Sequence, residues 1–310
     1  MTEVPAIDVQ GLVKRYGART VVDHVDLRIM PGRVCGFLGP NGSGKTTTLR
    51  MICGLLTPDG GAGTCLGYNI ITERDQIKRR AGYMTQKFGL YDDLTIRENL
   101  EFVGRVYGLS NVRKRVDDSL GRLGLASRSG QLTGSLSGGW KQRLALAACV
   151  LHEPKILLLD EPTAGVDPKA RRTFWDEIHA LAAQGITILV STHYMDEAER
   201  CHEIAYIAYG TLMARGTADE IVAASGLHAW LASGPGADQL APVLRDAPGV
   251  TAAAAFGATL HVCGPDAALL EQAIAPLRAD KAIRWEHTEP TLEDVFIHLM
   301  GQARDNAVAA

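Results

Sequence analysis

No run of about 18 apolar residues occurs in the 310-residue chain, so no part of it predicts a helix that spans a bilayer. An excess of positive charge is also missing: 32 Lys and Arg stand against 35 Asp and Glu, a formal net charge of −3. Such a balance gives no basic field, and nucleic acid is not expected as a partner. Any role at a membrane is therefore expected to depend on a partner protein.

Two further signals are absent. The six cysteines show no Cys-x-x-Cys or other metal-ligand spacing, so we expect reduced thiols in a cytosolic chain. The first residues, Met1 to Pro5, include an acid and a proline where a secretory signal needs a basic and then an apolar stretch. With 46% hydrophobic and 22% charged residues, the composition predicts a globular protein with one large and one small domain.

A glycine-rich segment follows the apolar run Val34 to Leu38 and precedes a helical pattern from Thr46 to Cys53. A strand, a glycine loop and a helix in this order are the context of a phosphate-binding loop. The glycines let backbone N–H groups reach phosphates, Lys45 supplies a positive charge, and the Thr46 hydroxyl can ligate Mg²⁺. These flanks disfavour the alternative, a glycine-rich turn with an incidental lysine. The predicted nucleotide-binding residues are Gly39, Pro40, Asn41, Gly42, Ser43, Gly44, Lys45, Thr46 and Thr47.

Two acids end a second apolar strand pattern, Ile156 to Asp160, with Glu161 next in sequence. An acid at the tip of a buried strand can hold the water shell of Mg²⁺, which suits Asp160. Glu161 is then placed to take a proton from an attacking water, as a general base. Solvated acids at a strand end are the alternative, and the phosphate loop earlier in the chain favours the functional interpretation.

A second phosphate clamp is predicted at Leu136-Ser137-Gly138-Gly139. Ser137 is a suitable N-cap for a helix that runs toward Val150. Its hydroxyl and the amides of Gly138 and Gly139 would form an anion site at the helix N-terminus.

The order of strand and helix patterns predicts a mixed α/β sheet core, an α-helical subdomain and a small C-terminal α+β domain. Thr95 and Glu98 form a capping box inside the helical region, which we place at about residues 88–151. The first domain is expected to cover residues 1–220 and the second residues 221–310. The elements predicted for the second domain are a strand at 228–232, a helix at 238–245, strands within 250–263, a helix at 267–278, a strand at 282–287 and a helix at 291–300.

In this order the motifs resemble the nucleotide-binding subunit of ATP-binding-cassette (ABC) transporters, over roughly residues 6–220. The resemblance implies a P-loop ABC cassette that binds ATP and Mg²⁺ between two subunits, with each Ser-Gly-Gly corner facing the γ-phosphate held by the other. It implies catalytic roles for Glu161, His193 and Gln86, and magnesium contacts from Thr46, Gln86 and Asp160. Further residues assigned by resemblance are Tyr16 for adenine stacking, Ser137, Gly138 and Gly139 for the γ-phosphate, and Asp167 for the D-loop. Without the resemblance, Tyr16 and His193 would be interpreted as packing and hydrogen-bonding residues.

One residue departs from the family pattern. The fifth position of the signature segment, commonly glutamine, is Trp140, for which we expect a packing role. The string Leu-Ser-Gly-Gly-Trp-Lys-Gln-Arg resembles multidrug-type exporters. The C-terminal segment Glu289 to Phe296 resembles the closing helix of ATPases that drive ABC-2-type exporters, such as the daunorubicin-resistance-like family. It is equally consistent with a capped amphipathic helix that stabilises its domain.

The resemblance implies an ATPase subunit of an exporter, bound at the cytoplasmic face of the inner (plasma) membrane. Its implied partners are an integral membrane permease of ABC-2 type and a second ATP-binding subunit, either a second copy or a close homologue. Two alternatives remain open: an importer's ATPase, and an ABC-type ATPase that acts on ribosomes or DNA. Against the latter, the chain has one cassette and no heptad insert.

Overall fold

The computed structural model describes residues 4–303. Within them the chain divides into two compact units, one ending at Leu212 and the other beginning at Met213. Residue 220, the boundary expected from composition, lies inside the helix Ala218–Ala224. The side chains of Thr217 and Glu220 form the capping box of that helix.

The first unit begins with an antiparallel sheet. Its strands are β1 (Ile7–Tyr16), β2 (Arg19–Ile29), β4 (Gly60–Cys65) and β5 (Tyr68–Asn69), in the order β2-β1-β4-β5. In β2, Val25, Leu27 and Ile29 are buried while Asp26 and Arg28 are exposed, as the period of two predicts. One face of this sheet therefore joins the core.

A parallel sheet forms the centre of the first unit. Its strands are β3 (Val34–Leu38), β6 (Ala81–Met84), β7 (Ile156–Asp160), β8 (Thr187–Thr192) and β9 (Glu203–Ala208), and β10 (Thr211–Gly216) lies next to β9. The order is β10-β9-β3-β8-β7-β6. Every residue of β3 and β7 is buried, because helices and a second sheet cover both faces. The carboxyl ends of β3, β7 and β8 meet at one edge, where Asp160 pairs with Ser191 and Leu38 with Thr192.

Helices cover the parallel sheet. They are α1 (Lys45–Ile52), α2 (Arg74–Lys78), α3 (Ile96–Val106), α4 (Val112–Arg122), α5 (Gly138–Val150), α6 (Pro168–Ala183) and α7 (Met195–Ala198). The predicted capping box of Thr95 and Glu98 opens α3. Alternate residues of β7 contribute to two cores: Leu157 and Leu159 pack with α3 to α6, and Ile156 and Leu158 pack toward α1 and the antiparallel sheet.

The second unit is a four-stranded antiparallel sheet with helices. Its elements are α8 (Ala218–Ala224), β11 (His228–Ser233), α9 (Ala241–Arg245), β12 (Ala252–Phe256), β13 (Thr259–Gly264), α10 (Ala267–Ile274), β14 (Arg284–Thr288) and α11 (Leu292–Gln302), and the sheet order is β12-β13-β11-β14. Two predicted helices are shorter than expected. Residues Ala237–Leu240 form a 3₁₀ turn before α9, and Ala275–Ala279 form another after α10. Pro276 explains the second difference, because a proline has no N–H with which to continue an α-helix.

The six cysteines lie within the described residues, where they form no disulfide bond. Burial raises the pKa of Cys149 to about 12 and that of Cys65 to about 12, so both remain protonated thiols. None of the helices within residues 4–303 combines the length and the apolar character that a membrane crossing requires.

Candidate active site

The phosphate loop lies between the end of β3 and α1. A Cβ added to Gly39 would lie 2.1 Å from the Ile207 carbonyl oxygen, and Gly44, with φ +100°, would bring a Cβ within 2.6 Å of the Val21 oxygen. Only glycine fits at these two positions, so the tight course of the loop is specified by its sequence. The Lys45 ammonium is buried and donates to the carbonyls of Gly39 (2.7 Å) and Pro40 (3.0 Å).

Burial lowers the pKa of Lys45, and the nearby carboxylate of Glu161 opposes that shift. The Lys45 Nζ lies 3.3 Å from Glu161 Oε1. A compact ammonium at the start of α1, next to loop amides, provides a positive surface that matches the oxygens of a triphosphate.

Asp160 lies at the carboxyl end of β7 with oxygen-bearing side chains around it. Thr46 Oγ1 and Ser191 Oγ donate to Asp160 Oδ1 at 2.9 and 2.8 Å. A carboxylate and a hydroxyl beside a phosphate loop match the oxygen ligands that Mg²⁺ prefers, with phosphate and water as its remaining ligands. These residues therefore fit a magnesium ion. Gln86, also predicted to contact the metal, instead donates to Glu161.

Glu161 has partners of a different kind. Its carboxylate accepts from Gln86 Nε2 at 2.9 Å and lies near Lys45, and its Oε2 is 3.3 Å from His193 Nδ1. The side chain is buried, and its backbone N–H lies 2.9 Å from Ser191 Oγ. Its φ of +46° is in the left-handed region, which costs a non-glycine residue roughly 1–3 kcal/mol. Strain at a residue with this environment indicates a functional position.

The signature segment lies outside this cleft. The cleft around the phosphate loop has a volume of about 260 Å³ and is lined by Val21, Asn41, Gly42, Gly44, Lys45, Thr46, Thr47, Gln86 and Glu161. Ser137, Gly139 and Asp167 line a different cavity of about 300 Å³, between α5 and α6. The chain thus brings together the phosphate loop, Gln86, Asp160, Glu161 and His193, and it does not bring the signature segment to them.

Ser137 occupies the N-cap position of α5, as predicted, but its hydroxyl makes no capping bond to the helix. Both Ser137 and Gly138 are exposed. A Cβ on Gly139 would lie 2.7 Å from the Cβ of Ala170, so glycine allows α5 to approach α6 closely. Asp167 caps α6 by accepting from the amides of Lys169 and Ala170. The Ser137 hydroxyl is therefore exposed and is not used to cap its own helix.

Tyr16 lies at the end of β1 with 53% of its surface exposed, and it does not line the cleft. Sequence reasoning did not assign roles to Ser191 and Tyr83. The Tyr83 hydroxyl donates to Asp160 Oδ2 at 3.4 Å. A signal for Ser191 was present, since it ends the strand beside β7 at the same edge of the sheet as Asp160.

Comparison with known proteins agrees with this geometry. Residues 22–164 match the family model described as ABC transporter. The daunorubicin resistance ATP-binding protein DrrA3 of Streptomyces coeruleorubidus is 37% identical over 96% of this chain and 97% of its own length. The chain belongs to the ABC transporter ATP-binding family. A second relative of this protein, the Nod factor export ATP-binding protein I of Paraburkholderia xenovorans, is 39% identical over 96% of this chain and 97% of its own.

A third relative matches less completely. The probable multidrug ABC transporter ATP-binding protein YbhF of Escherichia coli is 44% identical over 71% of this chain, and the match spans only 38% of YbhF. A solved ATP-binding subunit of an ABC transporter covers 71% of this chain and 93% of its own, at 31% identity and a TM-score of 0.65. The predictions of the ABC family and of its cassette fold are confirmed. The names of the three relatives refer to daunorubicin resistance, Nod factor export and multidrug transport, which supports the exporter prediction over the importer alternative.

Proposed function

We propose that this ABC cassette hydrolyses ATP and thereby drives export through a separate membrane permease. The observation that carries the proposal is the environment of Glu161. Its carboxylate is buried in contact with Lys45, Gln86 and His193, one residue from an acid that contacts the hydroxyl of Thr46. A general base, a positive charge, a phosphate cradle and a metal position therefore share one cleft.

The residues of the cleft divide the work of phosphoryl transfer. The loop amides and Lys45 hold the β- and γ-phosphates, and Glu161 accepts a proton from the attacking water. His193, whose Nδ1 faces Glu161, is placed to hydrogen-bond the γ-phosphate or that water. Thr46 and Asp160 would hold Mg²⁺, which neutralises charge on the phosphate oxygens when bound.

The exposed signature segment supports closure of two subunits. Ser137 has an unengaged hydroxyl at the amino end of a 13-residue helix, where the helix dipole attracts anions, yet it lies outside its own phosphate cleft. A second subunit arranged head to tail provides the triphosphate that this corner lacks. ATP then joins the two subunits, and its hydrolysis lets them separate.

The segment from Gln86 to Asn99 is the proposed contact with the permease, at the cytoplasmic face of the membrane. It borders an apolar cavity of about 270 Å³ whose lining includes Phe88, Leu90 and Val103. Exposed Tyr91 packs edge-on against Phe102 with 5.2 Å between ring centres. Buried Asn99 fixes this loop, since its side chain accepts from the Tyr91 amide and donates to the Tyr91 carbonyl.

The decisive experiment is Glu161→Gln, which keeps the shape of the side chain and removes the base. We expect ATP binding to be retained, turnover to fall by about 100-fold or more, and a closed dimer to accumulate with MgATP in light scattering. Glu199→Gln, at an exposed carboxylate, is the control and should turn over like the wild type.

Two results would contradict the proposal. Wild-type turnover in Glu161→Gln would remove the base assignment, and a monomer at saturating MgATP would remove the closing dimer.

We further propose that the second unit supports dimerisation or regulates it. The same light-scattering measurement on a Glu161→Gln chain that ends at Gly216, the last residue of β10, tests this role, which an unchanged dimer would exclude.

A further inference from the structure

Glu197, on the single-turn helix α7, has a buried carboxylate outside the cleft just described. Only 1% of the residue is exposed. Its Oε1 accepts a hydrogen bond from Thr163 Oγ1, and its Oε2 accepts one from Thr192 Oγ1 at 2.7 Å. Both threonines are buried as well. One carboxylate thus joins two loops that are far apart in sequence.

The charge of Glu197 is balanced by a third element. Arg171, in the first turns of α6, places its Nε 3.5 Å from Glu197 Oε1. A buried carboxylate without a countercharge would be strongly destabilising, so this contact offsets part of the cost of burying the Glu197 side chain. The same guanidinium lies over the ring of Tyr194, 4.4 Å from its centre. Arg171 therefore also connects α6 with the loop that follows β8.

Each partner of Glu197 lies close in sequence to a residue of the proposed active site. Thr163 follows Glu161 by two residues, and Thr192 directly precedes His193. The amide of Arg171 donates to the carbonyl of Asp167 at 2.9 Å. The loop between β7 and α6, which carries Glu161 and Asp167, and the segment after β8, which carries His193, consequently meet at one buried side chain.

The contacts extend to the histidine ring itself. The Tyr194 amide donates to Thr192 Oγ1 at 3.0 Å, and the rings of Tyr194 and His193 lie 4.1 Å apart between centres. Glu197 thus fixes Thr192, and Thr192 fixes the backbone on which His193 is carried. The phosphate loop meets this network only through the main chain, where the Gly39 amide donates to the Thr192 carbonyl at 3.2 Å.

We infer that Glu197 is a positioning residue for ATP hydrolysis, which holds the loops of Glu161, His193 and Asp167 in one arrangement. The inference rests on the proposed function, because it assigns Glu197 to the same reaction. Displacing a catalytic group by about 1 Å can reduce a rate about 100-fold. Since the Glu197 side chain itself contacts Thr163, Thr192 and Arg171 and no residue of the phosphate loop, the loss of its carboxylate should lower kcat and leave the KM for ATP nearly unchanged.

The experiment compares steady-state ATP hydrolysis by five variants of the full chain with that by the wild type. Glu197→Gln removes the charge at constant shape, and Thr163→Val removes one hydroxyl at constant shape. Thr163→Ser keeps that hydroxyl, Glu199→Gln changes an exposed acid near the end of the same helix, and Glu161→Gln reports the base. We expect kcat to fall about 10- to 100-fold in Glu197→Gln and at least about threefold in Thr163→Val, with KM within about threefold. Thr163→Ser and Glu199→Gln should match the wild type.

Folding is monitored by thermal denaturation, and rates are compared at a temperature where each variant is folded. A folded Glu197→Gln chain with wild-type kcat overturns the inference. A KM that rises by the same factor as kcat falls also overturns it. If Glu197→Gln does not fold, the pair Thr163→Val and Thr163→Ser decides, and equal rates in the two contradict the inference. If Glu161→Gln hydrolyses ATP as fast as the wild type, the proposed function is contradicted as well. If Glu161→Gln is inactive but Glu197→Gln keeps the wild-type kcat, only the inference is contradicted.

Discussion

Asp160 and Glu161 are adjacent carboxylates whose partners differ in kind. Asp160 accepts hydrogen bonds from the hydroxyl groups of Thr46, Ser191 and Tyr83. The Glu161 carboxylate instead contacts side-chain nitrogen atoms of Lys45, Gln86 and His193. The two adjacent side chains meet different partners, and the backbone of Glu161 between them is in the left-handed region. In the proposed function, Asp160 would therefore hold the metal ion and Glu161 would accept the proton, at one end of the same strand.

Trp140 shows how this chain accommodates its departure from the family pattern. Its half-buried ring packs on the helical core, and the guanidinium groups of Arg128 and Arg143 lie 4.8 and 5.1 Å from the ring centre. These contacts agree with the packing role expected from the sequence. They leave the Ser137 hydroxyl untouched.

We expect Trp140→Gln to destabilise the cassette by about 1–3 kcal/mol, because it removes buried ring area and two cation–π contacts. The measurement is urea unfolding followed by circular dichroism. Trp140→Phe keeps a ring and should lose less. ATP turnover of the folded protein should stay within about twofold of the wild type. A large loss of turnover at unchanged stability would indicate a chemical role for the ring and contradict the packing assignment.

The residue types of the site could be predicted because each motif combines a local fold with a chemical group. The contacts could not. The bond from Gln86 to Glu161 was not predicted, because it joins residues 75 positions apart whose proximity depends on the fold, and the metal contact of Gln86 stays a prediction. Glu197 carries no local motif, and its contacts with the loop after β7, the end of β8 and the first turns of α6 exist only in the folded chain.

Among the elements, the strands that sequence patterns predicted well are those with continuous or alternating apolar residues, such as β2, β3 and β7. Strand β4 has neither pattern, since it reads Gly-Gly-Ala-Gly-Thr-Cys. It pairs with β1 through its backbone, and Val9 lies opposite Gly63. A glycine-rich segment of this kind predicts a loop, and only the neighbouring strand makes it part of a sheet.

Gly63 is one of two glycines of β4, with Gly61, at which the neighbouring backbone leaves no room for a side chain. With φ at +155°, a Cβ there would lie 2.3 Å from the Asp8 oxygen and 2.5 Å from the Val9 Cα, both backbone atoms that cannot move aside cheaply. We expect Gly63→Ala to destabilise the first unit by more than about 2 kcal/mol in urea unfolding.

Gly130→Ala is the matched control, because a Cβ at Gly130 meets no atom within 4 Å and its φ is not positive. Its unfolding midpoint should stay close to that of the wild type. Equal midpoints for the two variants would show that β4 does not approach β1 as closely as described.

At the scale of the molecule, the second unit was predicted from a change in composition and from the segment Glu289 to Phe296. Thr291 does cap α11, and Leu292, Val295 and Phe296 are buried, as the amphipathic pattern indicated. Asp294 closes the capping box and lies 3.4 Å from His261 of β13. The bond between Thr291 and Asp294 explains why this helix begins where it does, and the functional role of the unit stays a prediction.

The assembly itself makes a prediction that no single chain can satisfy. If each site combines Lys45 of one subunit with Ser137 of the other, two different defects should complement each other when the chains pair. Lys45→Ala removes the phosphate-binding ammonium, and Ser137→Glu places a negative charge at an exposed signature corner without disturbing the core. Each variant alone should be nearly inactive. Equal mixing should restore about one quarter of wild-type turnover, since half of the dimers would then hold one intact site of two.

The control for complementation is a chain that carries both changes. Mixed with either single variant, it leaves no intact site in any dimer and should restore nothing. A mixture of the two single variants that stays at the mean of their separate rates would mean that the signature segment serves its own subunit, which the separation of Ser137 from the phosphate cleft argues against. Because both arms use the same assay and the same buried core, a difference between them can arise only from residues exchanged across the subunit boundary.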